Sequence, residues 1–236
     1  MQKNKVTTYL LYAVGEIVLV VIGILIAVTI NQRVAFQKER QEEVEILKEI
    51  RANLDNDLYE INQDLWAIGI VNEACDFVSD HLSTKEHPTQ EFGREVFKMR
   101  ITAHFKRNLS GYELLTSRGI KIIQKDSLRR AISNLFETEY AYYNRYELER
   151  IDFKSRHLDP FLNRYFLYIE EPENEFLGYY HVTQEDYDQL LQDDRFLKLA
   201  TSVKRENLLV ENRAKRVKTN IIALSSFLDQ ELNSFD

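Results

Sequence analysis

The chain has 236 residues, of which 44% are hydrophobic and 29% charged, the proportions of an ordinary globular protein with room for one or two domains. Seven glycines and three prolines are few, which suits long helices, and the single cysteine, Cys75, excludes an internal disulfide. A formal net charge of −7 argues against nucleic acid as the main partner.

In chain order the first unit is a short basic flank, residues 1–8, carrying Lys3 and Lys5. Residues 9–31 follow as the transmembrane helix. Within residues 9–30, fourteen of 22 side chains are Leu, Ile or Val. At about 1.5 Å per residue such a stretch covers roughly 33 Å, enough for a bilayer core of about 30 Å. The aliphatic residues contribute of order −5 kcal/mol to insertion, and one acid near the centre costs about +3 kcal/mol. Glu16 therefore does not prevent a span. A signal peptide is the rival reading, but Ala27-Val28-Thr29 is a poor cleavage site and helix-favouring sequence continues past it, so an uncleaved anchor is expected.

Tyr12, Glu16, Leu19, Gly23, Ile26 and Ile30 recur at steps of four and three and share one helix face, with Gly15 and Ala27 at its border. Gly23 and Ala27 form a small-xxx-small pair, which lets transmembrane helices approach closely. A carboxyl on such a face can hydrogen-bond to its copy or to a carbonyl. Self-association through Glu16, Leu19, Gly23, Ile26 and Ala27 is the expectation, giving a homo-oligomer in the bilayer. A conducting pore is the lesser reading, because one helix with one carboxyl per chain specifies no pathway. The basic residues on the two flanks are nearly balanced, and the short basic N-terminus favours an inner-membrane, single-pass topology with the C-terminal domain outside the cytoplasm.

Residues 32–83 read as a stalk helix continuing from the span. Apolar residues from Val44 through Leu47, Ile50, Leu54 and Leu58 to Val78 and Leu82 are all three or four apart, a helix stripe rather than a strand alternation. Consecutive four-steps around Leu54 and Leu58 form a stutter, so a uniform left-handed coiled coil is not implied. Cys75 falls in this stripe and reads as a small core residue.

Residues 84–236 are expected to form a helical domain packing on the stalk. Thr89 caps a helix expected to reach Phe105. Ser110 and Glu113 fit a capping box for a short helix ending at Gly119. Asp126 or Ser127 opens a longer helix to about Arg156. Asp159-Pro160 reads as a fresh N-terminus for a helix to about Ile169. Residues 170–182 (EEPENEFLGYYHV) read as a loop with a short extended piece. Thr183 and Asp186 resemble a capping box. A last helix runs from Asp194 to Asn233 on a stripe from Val210 to Leu232. Two long amphipathic helices need cover for their apolar faces, and the simplest arrangement sets them antiparallel in an all-α bundle.

Two stretches carry a resemblance. Residues 9–30 (YLLYAVGEIVLVVIGILIAVTI) resemble the N-terminal anchor of a large family of uncharacterised bacterial single-span membrane proteins. Residues 112–132 resemble a second block of that family, with Tyr112, Leu115, Ser117, Gly119, Leu128, Arg129 and Ile132 matching its pattern. Gln32-Arg33-Val34 departs from the Asn- and Trp-rich exit of that anchor. The resemblance implies a membrane-bound helical protein and brings no reaction with it.

Little chemistry is written in the chain. None of His81, His87, His104, His157 and His181 lies in an H-E-x-x-H pattern, and no glycine-rich phosphate loop or G-x-S-x-G is present. No metal or cofactor is expected. Arg150 and His157, in RIDFKSRH, have the R-x6-H spacing of HEPN-type ribonucleases, where the arginine stabilises phosphate charge and the histidine moves a proton. Two residues at so loose a spacing make a weak motif, and Arg156 and His157 near a helix C-terminus are well explained by the helix dipole. Arg213, Lys215, Arg216 and Lys218 read as a solvated face. The sequence thus points to a non-enzymatic, single-pass membrane protein acting as scaffold, sensor or assembly module, with an unidentified protein partner a further expectation. The alternative is a membrane effector, pore-forming or HEPN-like, in a stress or phage-defence pathway.

Overall fold

The structure is a computed structural model describing residues 3–171, 178–192 and 194–235, with side chains from Tyr9 onward. The side chains of the basic flank, the centre of the 170–182 loop and the chain's last residue lie outside the described residues.

Among the described residues the fold is all-α apart from one short hairpin. Helix α1 (Lys3–Thr84) runs 82 residues without a break. At about 1.5 Å per residue it is roughly 120 Å long. It stops where Lys85 takes a left-handed conformation (φ 55°), three residues before Pro88. From Tyr9 to Glu39 its residues are exposed, and from Glu43 to Leu82 it carries the bundle.

Helix α8 (Arg195–Leu232) packs antiparallel along the bundle half of α1. Polar pairs mark the register: Arg51 donates to Asp229 at 2.8 Å, Asn72 to Glu211 at 3.1 Å and Lys204 to Asp76 at 2.6 Å. The end of α8 thereby returns to the foot of the bundle, where Lys125 meets Glu231 at 2.8 Å and the Arg40 guanidinium covers the Phe235 ring at 4.0 Å. The expected stripes bury here. Leu47, Ile50, Leu54 and Ile61 of α1 and Val210, Val217, Ile221 and Leu228 of α8 share one core. Val71, Cys75 and Val78 join a second core with Phe92, Phe196 and Val203 farther along. Each such aliphatic side chain gains about 1.5–3 kcal/mol by leaving water.

The shorter elements wrap this pair. Helix α2 (Gln90–Lys98) starts where expected, its Phe92 amide bonded to Thr89 Oγ1 at 3.1 Å, but it ends at Lys98 rather than at Phe105. Helix α3 (Ser110–Arg118) ends at Gly119, whose φ of 91° supplies the turn. No capping box forms there. The Ser110 hydroxyl donates instead to Asn53 Oδ1 at 3.1 Å, because α3 packs its first turn directly on α1. A 3₁₀ turn at Ile120–Ile122 leads to α4 (Asp126–Ser133).

From α4 the chain stays helical through α5 (Tyr140–Phe153) and α6 (Asp159–Tyr165), with π turns at Asn134–Glu139 and Lys154–Leu158. The sequence reading placed a fresh start at Asp159-Pro160. The backbone never leaves helical geometry, since Pro160 falls in the first turn after the wide π turn, where its missing N–H breaks no α-type bond. Helix α6 stops at Tyr165, and Leu167–Ile169 forms strand β1, paired antiparallel with β2 (Tyr179–His181) with Tyr168 opposite Tyr180. Gly93 of α2 lies so close to the Tyr180 carbonyl that a Cβ would sit 2.0 Å from it. Helix α7 (Gln184–Gln192) opens with Thr183 Oγ1 accepting from the Asp186 amide at 3.1 Å.

Candidate functional site

Two features stand out from a plain bundle, and the first is the uncovered segment of α1. Its best 18-residue window has a mean hydropathy of 2.8, and none of that window is buried. It is long and apolar enough to cross a membrane. Glu16, Leu19, Gly23, Ile26 and Ala27 all lie on this bare segment. Gly15 leaves a notch beside Glu16, lined by Leu11, Tyr12 and Leu19. A Cβ at Gly15 or Gly23 would meet nothing within 4 Å, so both glycines are open to an approaching surface.

The second feature is a ladder of buried polar side chains around residues 101–109, which connect α2 to α3 without secondary structure. A segment threaded through a core must have its backbone groups paired. Here side chains of two helices do this. From the π turn after α5 the Lys154 ammonium donates to the Ile101 carbonyl at 2.6 Å, and from α5 Arg150 Nη2 donates to the Ala103 carbonyl at 2.5 Å. Glu147 Oε1 accepts from the Phe105 amide at 2.8 Å. From α1, Asp57 Oδ1 accepts from the Asn108 amide at 2.7 Å and Asn53 Oδ1 from the Gly111 amide at 2.8 Å. Cations take carbonyls, and carboxylates and the neutral Asn53 take amides, in chain order. This explains why α2 stops at Lys98: the next residues trade helical bonds for these.

The ladder is cross-braced. Tyr140 donates to Asp57 Oδ2 at 2.5 Å, and Tyr143 donates to Asp64 Oδ2. The Asp64 and Glu147 carboxyls are close enough for each to shift the other's protonation. Burial pushes the Glu147 carboxyl up to about 7, with the Asp64 charge adding to it against the Phe105 amide and Arg150. Burial likewise raises Asp57 to about 6, against its bonds from Tyr140 and Asn108. It lowers Lys154 to about 7, helped by the neighbouring Arg150 charge.

Shifted pKa values in a cluster can mark catalysis, but structural networks produce them too. In this one the shifted groups spend their hydrogen bonds on backbone. Arg150 is 1% exposed, its guanidinium turned to Ala103, whereas His157 is exposed on the second π turn with its ring 4.9 Å from Phe153. The structure thus buries one member of the R-x6-H pair and leaves the other at the surface. Arg216 grips the buried Glu139 through two bonds of 2.8 and 2.6 Å, and Arg213 lies over the Tyr146 ring at 4.9 Å, so part of the basic run is packed against α5 and the π turn before it. Among the described residues no group of His, Cys, Asp and Glu is placed to hold a metal ion.

The sequence reading missed the ladder. Its signal was present on α1: Glu43, Asp57 and Asp64 recur at sevens in the register of Ile50, Val71 and Val78, so the acids belong to the core stripe. Glu147, Arg150 and Lys154, three and four apart, are the same signal on α5 and the π turn that follows it.

Fold and site together define an all-helical bundle borne on an uncovered apolar helix and locked internally by polar side chains. The chain belongs to a family of unknown function, DUF6090, whose family model matches residues 16–170. That region takes in Glu16, the whole ladder and β1, and stops before α7 and α8. No curated protein and no solved structure matches the chain.

Proposed function

We propose that the protein is a single-pass membrane protein whose helical domain is a rigid, non-enzymatic scaffold or assembly module. The observation that carries this reading is α1 itself, since one unbroken helix passes from an uncovered apolar segment into the core of the bundle. Such an element transmits position and orientation from the bilayer to the domain. A soluble core helix would be covered, and this segment is bare. The buried charges support a structural reading because they hold the connector rather than line an opening. We place the bundle outside the cytoplasm, with the short basic N-terminus inside.

The anchor self-associates through Glu16, Leu19, Gly23, Ile26 and Ala27. The two open glycines allow close approach, and a carboxyl in lipid is stabilised by hydrogen bonding to a partner helix. Light scattering of the detergent-extracted protein tests this reading, with an oligomer expected for the native chain and a shift toward monomer for Gly23→Leu. A native monomer overturns self-association. Release of the full-length chain from membranes by alkaline carbonate overturns the anchor.

A further inference from the structure

We infer that the outward face of the stalk, centred on Tyr59 and Trp66, is a contact surface for a second, parallel copy of this chain, continuing the seam proposed for the anchor. The inference rests on that anchor reading and extends it about 50 Å out of the membrane, at about 1.5 Å per residue.

Trp66 is the sole tryptophan, and it stands 67% exposed on α1, with Tyr59 one heptad before it at 63%. Both lie opposite the core residues Leu54, Ile61 and Ile68. Between Asn56 and Asn72 the charged residues of α1 are Asp57, Glu60 and Asp64, of which Asp57 and Asp64 are buried and Glu60 is half-buried. The exposed face there is therefore aromatic and uncharged polar, set in a protein with 29% charged residues. Aromatic enrichment with charge depletion is the composition of an interface centre.

The occupant follows from the continuity of α1. Eighteen residues make about five full turns of α-helix, so residues that far apart lie on one line. Tyr12, Ile30 and Trp66 are spaced by eighteen and its double, and Gly23 and Tyr59 by its double. The line through the Glu16–Gly23 face of the anchor therefore emerges on Tyr59 and Trp66. The bundle covers the opposite side of α1 and does not obstruct it. Membrane insertion fixes every copy in the same direction and at the same height, so a second copy presents the same face at the same level. A two-fold axis along α1 then pairs each Trp66 with its counterpart.

Single cysteines test this in the full-length chain in native membranes. Cys75 is buried, its thiol pushed up to about 12, so it can be kept and the unmodified chain serves as a blank. Under mild oxidation Ile26→Cys and Trp66→Cys should each give a disulfide-linked dimer, and exposed Glu149→Cys on α5 should not. A dimer from Ile26→Cys alone overturns the stalk seam and leaves the anchor reading standing. No dimer from either overturns both. Equal crosslinking at Glu149 overturns a defined seam. The native chain gives a second readout free of substitution: Trp66 fluorescence should move to shorter wavelength in the oligomer fraction relative to the detergent-diluted monomer, and an unchanged spectrum counts against the seam.

Discussion

The Tyr140 hydroxyl reaches across the core to Asp57 Oδ2 at 2.5 Å, while the other oxygen of Asp57 holds the Asn108 amide at 2.7 Å. One carboxylate thus joins α1, α5 and the connector. Tyr140→Phe keeps the ring packed against Phe105 and Phe136 and removes only the donor. It should cost about 1–3 kcal/mol, since a buried acceptor loses its partner. The loss should be larger at pH 8 than at pH 5, because the lost bond favours the ionised acid, whose carboxyl already sits at about 6. Urea unfolding at the two pH values measures both effects.

Arg150 and His157 separate a structural role from a catalytic one. Arg150→Met leaves the Ala103 carbonyl and the Asp64–Glu147 pair without their cation, and should destabilise by about 3 kcal/mol. His157→Ala touches an exposed ring on Phe153 and should change stability by about 0.5 kcal/mol or less. Circular dichroism melts of the two variants should therefore diverge. A ribonuclease site would instead show both variants stable and both inactive.

Much of the architecture was legible from the sequence, because helix length and apolar period speak directly about which faces are buried. The stripes on α1 and α8 bury as their spacing requires, and the antiparallel pairing follows from two long faces needing one another. The early end of α2, the helix carried through Pro160 and strand β1 were not legible, whereas β2 falls in the short extended piece expected within residues 170–182. The end of α2 and the hairpin depend on partners distant in sequence, the ladder and Gly93 against Tyr180, and the helix through Pro160 depends on the π turn just before it, which residue spacing does not mark. The ladder is invisible to a stripe traced through apolar residues alone, because Glu43, Asp57 and Asp64 occupy core positions of α1 that such a tracing skips.

Stability should depend on pH in a way these groups dictate. Glu147 at about 7 and Asp57 at about 6 lie above their usual 4.5 and 3.8, so their contribution is complete below those usual values and is lost as pH rises through the folded ones. Lys154 at about 7 lies below its usual 10.5, so its contribution is complete at high pH and is lost as pH falls toward 7. The three together support the fold least near neutrality. Glu147→Gln keeps an acceptor for the Phe105 amide and should gain roughly 1–2 kcal/mol over the native chain between pH 5 and 7. Lys154→Met should flatten the rise above pH 7. Denaturation midpoints from pH 5 to 10 check each slope.

Gly111 and Gly69 predict opposite signs for one substitution. A Cβ on Gly111 would lie 2.8 Å from the Ile50 amide nitrogen and 2.9 Å from its Cγ1, against the backbone of α1. Gly111→Ala should cost about 2 kcal/mol as α3 is pushed off its seat. A Cβ on Gly69 would meet nothing within 4 Å, in the middle of a helix. Gly69→Ala should stabilise by about 0.5–1 kcal/mol through helix propensity. Thermal melts of the two variants should shift in opposite directions.

The unbroken run of α1 makes the angle between anchor and bundle a variable that can be dialled. Two alanines inserted after Phe36, on the bare part of the helix, rotate the bundle about the helix axis by roughly 200°, whereas seven rotate it by about −20° and only raise it. The two-residue insertion should abolish the crosslink at Trp66→Cys while keeping the one at Ile26→Cys, because the stalk face then points away from the anchor seam. The seven-residue insertion should restore both. Equal crosslinking at Trp66 in all three lengths would mean that the stalk pairs independently of the anchor, and loss in both insertions would overturn a seam set by the angle between anchor and stalk.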